Sequence, residues 1–220
     1  FKQKTAYEML RSLVGSEMCI RDRTNIMRIV VGISGASGSL LAAKTIEALL
    51  NHKVRVSLVA SNPARMVWQH EMNISYGESI EEWSGNNEFE HFAVGDFKAP
   101  IASGTYPTNG MVIVPSSMAT ISAVSKGLSD NLIRRAADVC LKEKRPLVIV
   151  PRESPLNAIH LGNMRDLATL GVTILPPDPP YYLPITSLSE SAAYTAQKVL
   201  VSLGITEQLP EEMQYKGPTN

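Results

Sequence analysis

The chain has 220 residues with 21 basic and 21 acidic side chains, four histidines and two cysteines, and a formal net charge of zero. That balance carries no electrostatic footprint for nucleic acid or an anionic membrane surface, and no apolar run approaches the roughly 18 residues of a transmembrane helix. Two cysteines make neither a disulfide framework nor a metal cluster, so a cytoplasmic enzyme without a metal site is the expectation.

Residues 1–23, FKQKTAYEMLRSLVGSEMCIRDR, stand apart from the rest of the chain. A signal peptide needs an apolar core of about 7–15 residues, which this stretch lacks. Lys2 to Glu8 translates AAG CAG AAG ACG GCA TAC GAG, a flow-cell primer, and Ser12 to Arg23 reads as a transposase adapter in the same frame. The segment is therefore expected to be a non-native, disordered leader, with Met27 as the native start. Without it, 16 basic and 18 acidic residues remain, a net charge of −2. The 197 residues left suffice for one domain with a substantial core, expected over 24–206, with a polar, extended tail at 207–220.

The first element, Ile29 to Ile33, reads as a short buried strand. It runs into Gly35, Ser37 and Gly38, and an apolar helical pattern then spans Leu40 to Leu50. Strand, Gly/Ser turn and helix N-terminus together form an anion site, to which Ser34 and Ser37 add hydroxyl donors. A tight βα turn without a ligand has the same spacing. No Gly-Lys-Ser/Thr comes after the turn, which disfavours NTP hydrolysis. Nor is Gly32-x-x-Gly35-x-x-Gly38 the dinucleotide spacing. The second strand, Val54 to Ala60, ends in Ser61-Asn62 where a ribose-binding acid is expected. A mononucleotide such as FMN fits better than NAD.

Pro63 opens a helix that runs to about Glu71. Residues 73–98 read as a short helix and a surface loop. Met111 to Val114 is the third strand, with helices after it over 119–124 and 131–143. Cys140 lies alone in the second of these, the pattern of a buried structural cysteine. Leu147 to Val150 is the fourth strand, 155–170 a helix, 172–175 the fifth strand, 176–184 a proline-rich loop and 189–203 the last helix. The alternation predicts one α/β domain: a doubly wound parallel sheet with helices on both faces, a Rossmann-like or flavodoxin-like three-layer sandwich. Ligands in such folds gather at the carboxyl ends of the strands. Ser34 to Gly38, Ser61, Ser116-Ser117 and Pro151-Arg152-Glu153 fall there. His52 and His91 lie in polar stretches and His70 and His160 in helices, so none supplies the base of a Ser-His-Asp site.

Five stretches carry a family resemblance: Gly35-Ala36-Ser37-Gly38; Pro100-x-Ala102-Ser103-Gly104; Asn131-Leu132-Ile133-x-Arg135-Ala136-Ala137-Asp138; Val150-Pro151-Arg152-Glu153-x-Pro155; and Ile159-His160-Leu161-x-Asn163-Met164. In order and spacing, over about residues 28–204, the chain resembles the UbiX-type flavin prenyltransferases of the homo-oligomeric flavin-containing Rossmann-like group. The resemblance implies a metal-independent transfer of the dimethylallyl group of dimethylallyl phosphate to reduced FMN at N5 and C6. The product is the cofactor of UbiD-type decarboxylases, including one in ubiquinone biosynthesis.

The resemblance implies site roles position by position. Gly35, Ala36, Ser37, Ser61, Ser116 and Ser117 would hold FMN, with Arg135 helping at a subunit boundary. Ala102, Ser103 and Gly104 would form a loop near the flavin edge and the substrate and help to bind that substrate. Lys142, Arg152, Tyr182 and Lys198 would grip the prenyl phosphate, and Glu71, Glu153 and Ser37 would serve catalysis, the two carboxylates by handling protons. Lys and Arg neutralise a departing phosphate, and a carboxylate accepts the proton lost from an aromatic carbon. Read alone, Arg152-Glu153 is an exposed loop pair, Glu71 a solvated face, Lys142 a charged helix end and Tyr182 simple packing. Two departures from the family pattern stand out: Lys198 in place of Arg, and Tyr215 in place of Trp. Two other readings are a cysteine-decarboxylase relative using FMN and a non-catalytic FMN-carrying subunit. The first expects an Asn-containing motif where Pro100 to Thr105 reads Pro-Ile-Ala-Ser-Gly-Thr. The second leaves Lys142, Glu153 and Tyr182 without a purpose.

Overall fold

A computed structural model describes residues 26–217. The expected leader at 1–23 lies outside the described residues. Among the described residues six parallel strands form one sheet: β1 (Arg28–Ile33), β2 (Arg55–Ala60), β3 (Phe89–Phe92), β4 (Gly110–Ser116), β5 (Leu147–Pro151) and β6 (Thr173–Ile174). Their order is β3-β2-β1-β4-β5-β6, with Ile29 of β1 opposite Val56 of β2 and Gly110 of β4. Helices α1 (Ser39–Asn51), α2 (Asn62–Glu71), α3 (Tyr76–Ser84), α4 (Met118–Ser125), α5 (Leu132–Lys142), α6 (Ala158–Thr169) and α7 (Leu188–Ser202) connect and cover the strands. Among the described residues no helix is long and apolar enough to cross a membrane.

The strands are apolar on both faces because both are covered. Ile29, Val31, Ile33, Val112, Val114, Val148 and Val150 share a core with Ile46 and Leu49 of α1, Trp68 of α2 and Val199 and Leu200 of α7. The alternate side chains, Val30, Met111, Ile113, Leu147 and Ile149, pack with Ile121 of α4, Leu132 and Ile133 of α5 and Leu167 of α6. Cys140 is buried in this second core, and burial pushes its thiol up to about 12. It is structural, as its helical setting implies.

The sequence pattern predicts five strands, and the sixth is β3. It lies inside the stretch that reads as surface loop, pairing with Val56–Val59 at the sheet edge. Phe89-Glu90-His91-Phe92 places one aromatic and one polar side chain on each face, so period-2 patterning is invisible. What holds β3 is tertiary: Phe89 packs on Trp83 of α3 at 5.8 Å between ring centroids, and His91 Nε2 lies 3.2 Å from Tyr76 Oη. Helix α6 starts at Ala158, later than the expected 155, because Asn157 caps it with His160 in a reciprocal capping box. That box gives His160 a structural role.

Candidate active site

Connections run one way from β1 to β2 and β3, and the other way from β4 to β5 and β6, so the switch point lies between β1 and β4. At such a switch point the crevice that takes a ligand is expected beyond the carboxyl ends of the strands. Ser34, almost fully buried, stitches its two walls together. Its hydroxyl donates to the Pro115 carbonyl at 3.2 Å and accepts from the Ser117 N–H at 2.7 Å. Ser117 in turn caps α4 by accepting from Thr120 N–H, and Ser61 caps α2 by accepting from Ala64 N–H. Three serine-bearing turns thus come together in space from positions 34–38, 61 and 116–117. Ser116 Oγ is fully buried there and has no hydrogen-bond partner among the described residues. A buried orphan hydroxyl is costly unless something polar meets it. The hydroxyls and backbone N–H groups of the three turns are the kind of donors that fit the oxygen-rich chain and phosphate of FMN.

The N-terminus of α1 differs from the expectation. Its cap residue, Gly38, has φ 121°, a backbone conformation that favours glycine, and offers no side chain. The cap is instead Glu71, the last residue of α2, which accepts from the Gly38 N–H at 2.9 Å and the Ser39 N–H at 2.8 Å. The anion at this helix terminus is the chain's own carboxylate, which neutralises the dipole expected to hold a phosphate. Partial burial opposes ionisation of Glu71, but hydrogen bonds from Ser37, Ser39 and Gly38 outweigh it and hold its pKa below the usual glutamate value. The other end of α2 meets the same turn. A Cβ on Gly35 would sit 2.5 Å from Pro63 Cβ, so no larger residue fits without displacing α2.

A loop containing Ala102, Ser103 and Gly104 lies between β3 and β4. Arg135 of α5 donates from Nε to the Ala102 carbonyl at 3.0 Å and pairs through Nη1 with Asp138 at 2.7 Å. Lys142, at the end of the same helix, forms an ion pair with Glu143 directly against Gly104, where a Cβ would collide with both side chains. Beyond β5, the Arg152 N–H donates to the Ser116 carbonyl at 3.1 Å, which ties this segment to the crevice. Arg152 and Glu153 line a cleft of about 740 Å³ with Leu161, Met164 and Arg165 of α6. Tyr182 Oη lies 3.2 Å from Tyr194 Oη, and the Tyr182 ring packs edge-on against Tyr215 at 5.3 Å. Burial, with help from Tyr182, pushes the Tyr194 phenol up to about 12. Tyr194 is one helical turn before Lys198 on α7, so Tyr182 is tied to the stripe that carries Lys198.

Ser37, Ser61, Ser116, Ser117 and Glu71 therefore stand together at the switch crevice, and Arg152 with Glu153 stands next to it. Lys142 keeps company with Gly104, and Tyr182 with Tyr215. Among the described residues no hydrogen bond or ion pair joins Lys142, Arg152, Tyr182 and Lys198, and all four side chains are exposed. Tyr194 is not among the expected site residues, and Ser34 is expected only as a hydroxyl donor of the turn. Ser34 is visible in the sequence as a hydroxyl in the turn but not as the stitch to β4, and Tyr194 only as an aromatic at helical spacing from Lys198.

A doubly wound parallel sheet with serine-bearing turns at its switch point defines a Rossmann-like or flavodoxin-like α/β protein. Residues 20–204 match the Flavoprotein family. Over 188 residues the chain is 41% identical to flavin prenyltransferase UbiX of Chlamydia pneumoniae, covering 84% of this chain and 96% of that protein. It superposes with a TM-score of 0.80 and 34% identity on a dodecameric FMN-dependent UbiX-like decarboxylase from Escherichia coli O157:H7, covering 87% and 100% of the two chains. AnUbiX (PadA1) in complex with FMN and dimethylallyl pyrophosphate also gives a TM-score of 0.80, at 32% identity over 88% of this chain and 99% of that one. The chain belongs to the UbiX flavin prenyltransferase family.

Proposed function

We propose that this protein transfers the dimethylallyl group of a dimethylallyl phosphate to reduced FMN, forming bonds at N5 and C6, and supplies the product to a UbiD-type decarboxylase in the cytoplasm. The observation that carries the reading is the pairing of a serine-lined flavin crevice with Arg152 and Glu153 at the end of the adjacent strand. FMN, when bound, supplies the nucleophilic ring. Ser61, Ser116 and Ser117 would hold its polar chain, Gly35, Ala36 and Ser37 would let the backbone approach it, and Arg135 would fix the Ala102–Gly104 loop at the ring edge.

When the donor's C–O bond breaks, negative charge grows on the departing phosphate. Lys142, Arg152 and Lys198 would neutralise it, with the Tyr182 hydroxyl as a further donor. In this reading they would do so without a metal ion. The allylic fragment is cation-like and favours π faces, one of which the Tyr182 ring would offer. Ring closure at C6 would consume the allyl C=C, whose other carbon takes up a proton, and would release the proton of the aromatic carbon; Glu153 would handle these protons. Glu71, held ionised at Gly38 and Ser39, would orient Ser37 and pass protons at the turn.

Lys142, Arg152, Tyr182 and Lys198 are all exposed, and among the described residues no hydrogen bond or ion pair joins them within one chain. We therefore read the working form as a homo-oligomer in which neighbouring copies complete the phosphate grip. Exposed Ile159 and Leu188, 71% and 82% accessible, supply apolar surface for such contacts. A cysteine decarboxylase or a passive FMN carrier would leave Arg152 and Glu153 unused. The test is mass spectrometry of the flavin extracted after anaerobic incubation with reduced FMN and dimethylallyl phosphate. A prenyl mass gain supports the transferase, and unaltered FMN overturns it.

A further inference from the structure

We infer that Arg145 is a positioning residue: its guanidinium clamps the 104–108 segment of the substrate loop and so fixes Gly104 beneath Lys142. Arg145 lies three residues beyond Lys142, just past α5. Its Nη2 donates to the Gly104 carbonyl at 2.6 Å, and its Nη1 donates to the Tyr106 carbonyl at 3.0 Å and the Thr108 hydroxyl at 2.9 Å. Three acceptors from five consecutive loop residues converge on one side chain. The planar fork of a guanidinium can serve all three at once, whereas an ammonium acts as a point charge.

Two other arginines hold the same loop, which shows how much of its shape is imposed from outside. Arg135 takes the Ala102 carbonyl, and Arg28 stacks over the Tyr106 ring at 4.6 Å. Within the loop itself, Ser103 Oγ and Thr105 Oγ1 are 2.9 Å apart, and Thr105 N–H donates to Ser103 Oγ. Arg135 and Arg145 thus bracket Ser103 from either side. Gly104 also packs against the Lys142–Glu143 pair with no room for a side chain. Releasing the Gly104 carbonyl therefore frees the surface on which Lys142 rests. The catalytic consequence, though not the clamp, rests on the transferase reading above.

The test compares full-length wild type with Arg145→Lys and Arg145→Ala by three measurements: hydrogen–deuterium exchange, FMN titration and steady-state prenyl transfer. Arg145→Ala should speed exchange of amides in 103–108 at least about tenfold while β1 and β4 stay protected, since charge-assisted bonds are lost. FMN affinity should change less than about threefold. The KM for the dimethylallyl donor should rise by about tenfold, because Lys142 loses its seat and the flavin crevice does not. Arg145→Lys should behave like Arg145→Ala, because charge without the fork cannot hold three acceptors. Unchanged loop exchange, or full rescue by Lys, would overturn the clamp. Equal losses in FMN and donor binding would overturn its specific role in placing Lys142. If Arg145→Ala fails to fold, the Lys variant decides the question alone. Wild type that leaves FMN unmodified would instead refute the transferase reading, and the exchange arm would still test the clamp.

Discussion

The carboxylate of Glu71 caps a helix it does not belong to, accepting from Gly38 and Ser39 at 2.9 and 2.8 Å across 33 and 32 residues of chain. The contact ties the end of α2 to the turn that opens the crevice. Any change at Glu71 therefore acts on fold and site together.

Glu71→Gln should cost about 1 kcal/mol at neutral pH, the usual worth of a helix cap with a favourable charge. Because the folded pKa is depressed, the stabilisation is fully present above the unfolded-state value near 4.5 and is lost as pH falls through the folded value. The gap in melting temperature between wild type and Glu71→Gln should thus be constant from pH 7 to about 5 and close below about pH 4. A gap that widens on acidification would contradict the depressed pKa.

Ser116→Ala separates ligand binding from stability. The unpartnered buried hydroxyl costs the protein its desolvation, so its removal should raise flavin-free stability by about 1 kcal/mol. If FMN supplies the missing partner, the same substitution should weaken FMN by about tenfold. Denaturant melts with and without FMN check both. A variant with lower flavin-free stability and unaltered FMN affinity would place the hydroxyl outside the cofactor site.

Glu153→Gln should retain FMN and lose about 10²–10⁴ in prenyl transfer, the usual worth of a general acid or base. Among the described residues its side chain accepts only from the neighbouring Ser154 N–H at 3.0 Å, so little else there depends on it. Activity within a few-fold of wild type would remove the assigned role.

Lys198 stands one turn beyond Tyr194, which holds Tyr182 by its hydroxyl. Lys198→Ala should reduce donor use by about ten- to a hundredfold, the loss of one charge-assisted bond. Lys198→Arg should be tolerated or should improve donor affinity, because its fork matches two phosphate oxygens. Separate titrations of FMN and donor check the assignment, and the FMN curve should not move in either variant.

The central fold is legible in the sequence because each long strand is buried on both faces: Val30, Met111, Leu147 and their neighbours form apolar runs that no loop would carry. β3 is not, since its four residues alternate without contrast and depend on Trp83 and Tyr76, which sequence periodicity does not connect to it. The same limit applies to the site. Ser37, Ser61 and Ser116-Ser117 can be placed in one crevice because strand ends converge. Glu71 as the cap of α1 cannot be foreseen, because the contact joins the end of one helix to the start of another. Arg145 is hidden for a further reason. In Leu-Lys-Glu-Lys-Arg it looks like any charged helix end, and only the loop's carbonyls give it a purpose.

The most direct test of the whole account is two-dimensional NMR of the flavin made by the full-length protein from reduced FMN and a dimethylallyl phosphate. The account predicts dimethylallyl carbons bonded to both N5 and C6, with the C6 proton signal gone. A recovered flavin that keeps its C6 proton and shows no dimethylallyl correlations would contradict it.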